Sequence, residues 1–208
     1  MLRKGLYFFI LLFSLSPAFA ADFAEDIEYA VLPNPVTTSN PNKVVVSEVF
    51  WYGCPHCFRL EPYMLKWKKT LPEGVELEIL PSVLNRSWEN HARAFYAFEL
   101  MGIIEHMHPK LLNALHLQNR RLNSVESLAA FVAEQGFDDK KFIDYFNSFP
   151  VDSKLRKNKQ KERKFGHRGV PAIIINGKYR TSASMAGSNA RMLQVVDYLV
   201  QQELALQK

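Results

Sequence analysis

Two cysteines stand three residues apart in the run Cys54-Pro55-His56-Cys57, and the 208-residue chain has no others. An apolar strand precedes them and a helix is expected to start at them. Two thiols on a helix's first turn make a redox device, because the unsatisfied amides of a helix N-terminus favour thiolate over thiol. As a staple the pair would do little: the chain-entropy value for so small a loop is about 2 kcal/mol. Zinc would need two further ligands, and no second CxxC or HxxxH follows. His106 and His108 are the nearest candidates. They flank Met107 just before Pro109, where a helix start is expected, and read as surface or boundary histidines; no metal is assigned.

The strand that delivers the pair runs from Val44 to Trp51, apolar except for Ser47 and Glu48, as expected of a central strand buried on both faces. Tyr29 to Leu32 reads as an edge strand, and the segment 33–42, with three prolines, as a loop. The helix opened by the cysteines should reach about Thr70, with a kink at Pro62. Gly74 leads into a strand from Val75 to Leu80 that Pro81 stops.

From Trp88 to Phe149 the apolar period becomes helical. Trp88, Ala92, Phe95, Tyr96 and Leu100 form one stripe, and Leu111, Leu112 and Leu115 belong to a second helix. Asn123 and Glu126 suggest a cap for a third, ending at Gly136. Asp138 caps a fourth, which Phe149-Pro150 stops. These stripes are assigned to packing. Asp152 to Phe165 reads as a further helix, its seven basic residues a solvated face. Gly169-Val170-Pro171 leads into a strand from Ala172 to Ile175, Asn176-Gly177 is a hairpin turn, and Lys178 to Thr181 returns. Ser188 or Asn189 caps a last helix that buries Met192, Val196, Leu199 and Val200. This order is α/β: a thioredoxin-like fold with an inserted α-helical domain, residues 21–84 and 151–208 forming the thioredoxin-like part and 85–150 the insertion.

The first twenty residues carry Arg3 and Lys4, an apolar run from Leu6 to Leu15, and Ala18-Phe19-Ala20, the pattern of an export signal cleaved after Ala20. The apolar run is too short for an ordinary membrane span. Removing twenty residues from 208 leaves 188, and the formal charge falls from +5 to +3, too mild to imply nucleic acid. An exported chain with two cysteines is not a disulfide scaffold, so its core must come from packing.

Phe50-Trp51-Tyr52-Gly53-Cys54-Pro55-His56-Cys57 together with Gly169-Val170-Pro171-Ala172 resembles the DsbA thiol:disulfide oxidoreductases of the bacterial periplasm, over essentially the whole mature chain. The resemblance implies a monomeric dithiol oxidase without cofactor that donates its disulfide to reduced, unfolded exported proteins. It also implies reoxidation by a quinone-linked membrane partner of the DsbB type, and a cis Val170-Pro171 bond facing the cysteines and binding substrate backbone. One departure stands out. The family's best-studied members carry a lysine on the strand after the active-site helix, near a glutamate like Glu48; here that strand reads Val75-Glu76-Leu77-Glu78-Ile79-Leu80.

Within this frame Cys54, at the helix start, is the exposed nucleophile and Cys57, one turn in, the buried resolving thiol. His56 and Pro55 lie between them, and the His56 ring is the expected source of any thiolate stabilisation beyond the helix terminus. Glu48 is either a proton relay for Cys57 or a strand-end glutamate facing solvent. Two other functions remain open: a reductase or isomerase on the same fold, and a redox-independent peptide-binding holdase.

Overall fold

The computed structural model describes residues 23–207; the export signal and its cleavage point lie outside them. Five strands, β1 (Tyr29–Val31), β2 (Val44–Phe50), β3 (Val75–Pro81), β4 (Ala172–Ile175) and β5 (Tyr179–Thr181), form one sheet in the order β1-β5-β4-β2-β3. The helices are α1 (Pro55–Lys68), α2 (Glu89–Met101), α3 (Ile104–His116), α4 (Val125–Glu134), α5 (Asp139–Phe146), α6 (Phe149–Phe165), α7 (Ala183–Ala186) and α8 (Asn189–Ala205). β2 lies between β3, to which it is parallel, and β4, to which it is antiparallel.

All seven residues of β2 are buried, as its apolar run predicts. Side chains alternate across a strand, which sorts them between two cores. Val44 and Val46 join Ile173 and Ile175 in a core with Leu60 and Met64 of α1 and Val196 and Leu199 of α8. Val49 and Ile174 point the other way, toward Phe165 at the end of α6. By the same alternation Glu48 shares the face of Val44 and Val46, with Ile79 and Ile173 as its register neighbours. A third core, built by α2 to α6, takes in Phe50, Tyr52, Cys54 and Cys57.

Several boundaries differ from the sequence reading. The α3 helix begins at Ile104, two residues after left-handed Gly102 closes α2, so Pro109 lies inside it and marks no start. His108 is therefore buried, where a surface or boundary position was expected. The cap of α4 is Ser124, in a capping box with Ser127; the Asn123 carbonyl instead accepts from Asn90. Pro150 opens α6, because a first-turn residue needs no amide donor. The basic run of α6 is only partly solvated: Lys161 pairs with Glu78 at 2.8 Å and Lys154 with Glu99 at 3.1 Å. The α1 helix continues through Pro62 to Lys68.

Candidate active site

Cys54 is the N-cap of α1: its backbone is extended, and its sulfur accepts from the Cys57 amide at 3.4 Å. Pro55 fills the first turn, where its missing N–H leaves no carbonyl unpaired. The opposite wall comes from 116 residues away. The Val170-Pro171 bond is cis, and the Cys54 thiol donates to the Val170 carbonyl at 3.4 Å. Both cysteines are free thiols and both are buried, Cys54 at 7% exposure and Cys57 at 2%. Cys54 is thus the more accessible of the two without being exposed, a correction to the sequence reading.

The two thiols are driven apart in acidity. The Cys57 thiol hydrogen-bonds the Cys54 thiolate, the amides of Cys57 and His56 add to this, and the His56 charge contributes least; together they overcome burial and bring Cys54 down to about 6. Burial first, and then the same hydrogen bond and the Cys54 charge, push the Cys57 thiol up. His56 was expected to lead and comes last. Its ring is exposed, and its Nδ1 accepts from Arg59 Nη2 at 2.9 Å.

Three residues to which the sequence reading gave no part in the site hold the loop before Cys54. His116, at the end of α3, donates from Nε2 to the Tyr52 carbonyl at 2.7 Å and stacks on Phe58. His108 Nδ1 lies 3.0 Å from the Tyr52 hydroxyl. Trp88 stacks on Trp51 with ring centroids 4.5 Å apart and 9° between planes. Gly53 permits that stack, since a Cβ there would lie 2.3 Å from the Trp51 ring. The partners lie 37 to 64 residues from the loop residues they hold, too far for any spacing rule. Their only trace in the sequence is a polar or aromatic side chain within segments assigned to packing.

Glu48 is buried, which removes the solvent-facing alternative. Burial, and secondarily the Glu61 charge, raise its carboxyl to about 8, and its own charge acts on Cys57. It borders a cavity of about 110 Å³ that Glu61, Lys68 and His108 also line. His108 Nε2 lies 3.5 Å from Glu61. The β3 carboxylate Glu78 faces the other side, bonded to Ser47 and Lys161. The ionisable groups around Glu48 therefore come from α1 and α3, while β3 offers it only the apolar Leu77 and Ile79. His106 packs edge-on against Phe137, and among the described residues no three His, Cys, Asp or Glu side chains converge as metal ligands do.

A CxxC capping a helix, beside a mixed sheet and against a cis-proline loop, defines a thioredoxin-like thiol:disulfide oxidoreductase. Comparison with known proteins gives the family. The family model for the DSBA-like thioredoxin domain matches residues 64–200. The thiol:disulfide interchange protein DsbA of Pseudomonas aeruginosa is 36% identical over 189 residues, 91% of this chain and 90% of that protein. DsbA of Azotobacter vinelandii is 37% identical over 194 residues, 93% of this chain and 89% of that protein. The crystal structure of Pseudomonas aeruginosa DsbA superposes with a TM-score of 0.86 at 36% identity, over 90% of this chain and 97% of that one. The chain belongs to the DsbA family, and it is a protein-disulfide oxidoreductase working by thiol:disulfide interchange on thiol-containing client proteins.

Proposed function

We propose that the protein is a periplasmic dithiol oxidase that donates a Cys54–Cys57 disulfide to reduced, exported proteins as they fold. The observation that carries this direction is the opposed acidity of the two thiols. A thiolate held at about 6 stabilises the reduced protein, and each pKa unit by which it falls below ambient pH corresponds to about 30 mV of oxidising power. In the forward step a client thiolate attacks Cys54 Sγ; the Cys54–Cys57 bond breaks, and Cys57 leaves as a thiolate that takes up a proton. A second client thiolate then attacks the client sulfur of the mixed disulfide and releases the Cys54 thiolate. The client loses two electrons and two protons; the protein gains the electrons as a Cys57 thiol and a Cys54 thiolate, one proton going to Cys57 and the other to solvent. A quinone-linked membrane partner of the DsbB type accepts the electrons on reoxidation.

In this reading Val170 and Pro171 hold the client backbone, and Pro55 and His56 shape the Cys54 surroundings. Glu48, with Glu61 and His108, carries the Cys57 proton toward the small cavity. The chain acts as a monomer after cleavage at Ala20, with residues 85–150 as an inserted helical domain.

The deciding experiment mixes the oxidised mature protein with a reduced dithiol peptide and titrates the pair against glutathione. Peptide disulfide should form at the cost of one protein disulfide, with a potential above the roughly −200 to −230 mV of glutaredoxins. A potential near thioredoxin's, about −270 mV, overturns the oxidase in favour of a reductase.

His56→Leu tests the smallest contribution to the thiolate. The substitution keeps the residue 56 amide and removes the ring. Thiolate absorbance against pH should show the Cys54 pKa rising by about one unit, and the potential should fall by about 30 mV. Unchanged curves would leave the work to Cys57 and the amides.

A further inference from the structure

Beside the cis-proline loop, on the side of the site where His56 points, lies an open hollow of about 470 Å³. Its ionisable lining residues are all basic: His56, Arg59, His167, Arg168 and Arg180. No aspartate or glutamate lines it. His167 is offset from behind by Glu162, 3.3 Å away in the buried interior. The three guanidiniums have no such offset. Arg59 donates to His56 Nδ1, and Arg180 to the carbonyls of Phe165 and Gly166, contacts that hold the side chains without cancelling their charge. Arg168 is exposed and makes no hydrogen bond or ion pair among the described residues. The whole chain carries a formal charge of only +5, so three uncompensated guanidiniums around one hollow are a local concentration.

Its position gives that charge a use. Val170 and Pro171 line the hollow, and the Val170 carbonyl is the one that Cys54 contacts. A client segment whose cysteine reaches Cys54 along this loop lays its neighbouring side chains against Arg59 and Arg168. A guanidinium fork takes a carboxylate through two parallel hydrogen bonds, and a cleft of one sign raises the encounter rate of the opposite sign. We propose that the hollow is a specificity site for acidic clients, in which an aspartate or glutamate close to the reacting client cysteine docks on Arg168 and Arg59. The proposal rests on the oxidase reading, with Cys54 as the sulfur that meets the client.

The test uses the oxidised mature protein and three reduced dithiol peptides that differ only in having glutamate, glutamine or lysine beside the cysteines. Flanking charge alters a peptide's own thiol acidity. Each rate is therefore divided by that peptide's rate with a small neutral disulfide. The normalised rate for the glutamate peptide should exceed that for the lysine peptide by about ten-fold at low salt and converge with it at high salt. Within each variant the glutamate-to-lysine ratio is the readout, which separates selectivity from any change in overall activity. Arg168→Ala should bring the ratio toward one, and Arg168→Glu should invert it. Equal normalised rates for the three peptides, or a preference that survives both substitutions, overturns the specificity site and leaves the oxidase intact. Failure to oxidise any of the three overturns the oxidase reading and the specificity site with it.

Discussion

Cys57→Ser is expected to turn the protein into a trap that accumulates client adducts on Cys54. The substitution leaves the Cys54 sulfur at the head of α1, still facing the residue 57 amide and the Val170 carbonyl. A serine hydroxyl can take over the hydrogen bond to the thiolate, so exchange with client disulfides continues. What disappears is the internal sulfur whose attack on Cys54 expels the client, the one exit from the mixed disulfide that the protein itself supplies. Well-oriented intramolecular groups reach effective molarities of roughly 10⁵ M and above. Even a poorly oriented thiol outcompetes millimolar external thiol, so for a client with no second free thiol adduct lifetimes should lengthen by at least about a thousand-fold. Non-reducing electrophoresis with mass spectrometry of the adducts measures this. Cys54→Ser should trap almost nothing, because Cys57 is 2% exposed and its thiol is held protonated. More trapping by Cys54→Ser would reverse the assignment of the two sulfurs.

The second large effect is a pH window in the stability difference between reduced and oxidised protein. Cys54 titrates at about 6 when folded, and an unfolded cysteine near 8.5. A group whose folded pKa is depressed gives stability that is present above the unfolded value and lost as pH falls through the folded one. The oxidised protein has no thiol to titrate, so the reduced form should gain on it as pH rises from about 6 to about 8.5. Linkage gives nearly 3 kcal/mol over that span; partial solvent screening of the Cys54 sulfur lowers it to about 2 kcal/mol. For a chain this long that is roughly 4–8 °C in the difference between the two melting temperatures. Above about 8.5 the gain should stop, because Cys54 is then ionised in both states, and turn into a loss, because unfolded Cys57 ionises while the folded thiol, pushed up by burial, does not. The Glu48 carboxyl, raised to about 8, makes both forms lose stability between about 4.5 and 8 and largely drops out of the comparison. Paired thermal melts from pH 5.5 to 9 measure it, and a difference that stays flat between 6 and 8.5 would mean that Cys54 is not a stabilised thiolate.

The sheet and the helix bearing the cysteines were legible because each is written in a local rule. β2 is an apolar run, α1 opens with a capping side chain followed by proline, and β4 and β5 flank an Asn-Gly turn. The same rules failed where two signals compete. Pro109 has the look of a helix start, yet left-handed Gly102 had already placed the start at Ile104, and with that shift His108 turned inward. Pro150 has the look of a stop and proved to be a start, since Ser148 stood ready to cap. At the site, the cysteines, the cis-proline loop and buried Glu48 were all in view, but the ranking among the groups that stabilise Cys54 was not. It depends on the direction of a thiol proton and of two amides, which no residue type encodes. The contacts of Trp88, His108 and His116 with the loop were invisible for a different reason. Each reaches the loop across the packing of the helices, a tertiary relation that leaves no spacing in the chain.

Cys54 and Cys57 count among the members of the core that α2 to α6 build, and are absent from the two cores on the faces of the sheet. The redox pair is thus carried by one layer and enclosed by another, and the helical layer is not a detachable module. Grafting Cys54-Pro55-His56-Cys57 onto a bare sheet of the same topology would transplant the motif without its dielectric. Cys57 would lose the cover of the core that α2 to α6 build, and the gap in acidity between the two sulfurs would narrow. Exchange of helices between relatives is in that sense an edit to the chemistry, and the unit that is inherited is the sheet with its helices together.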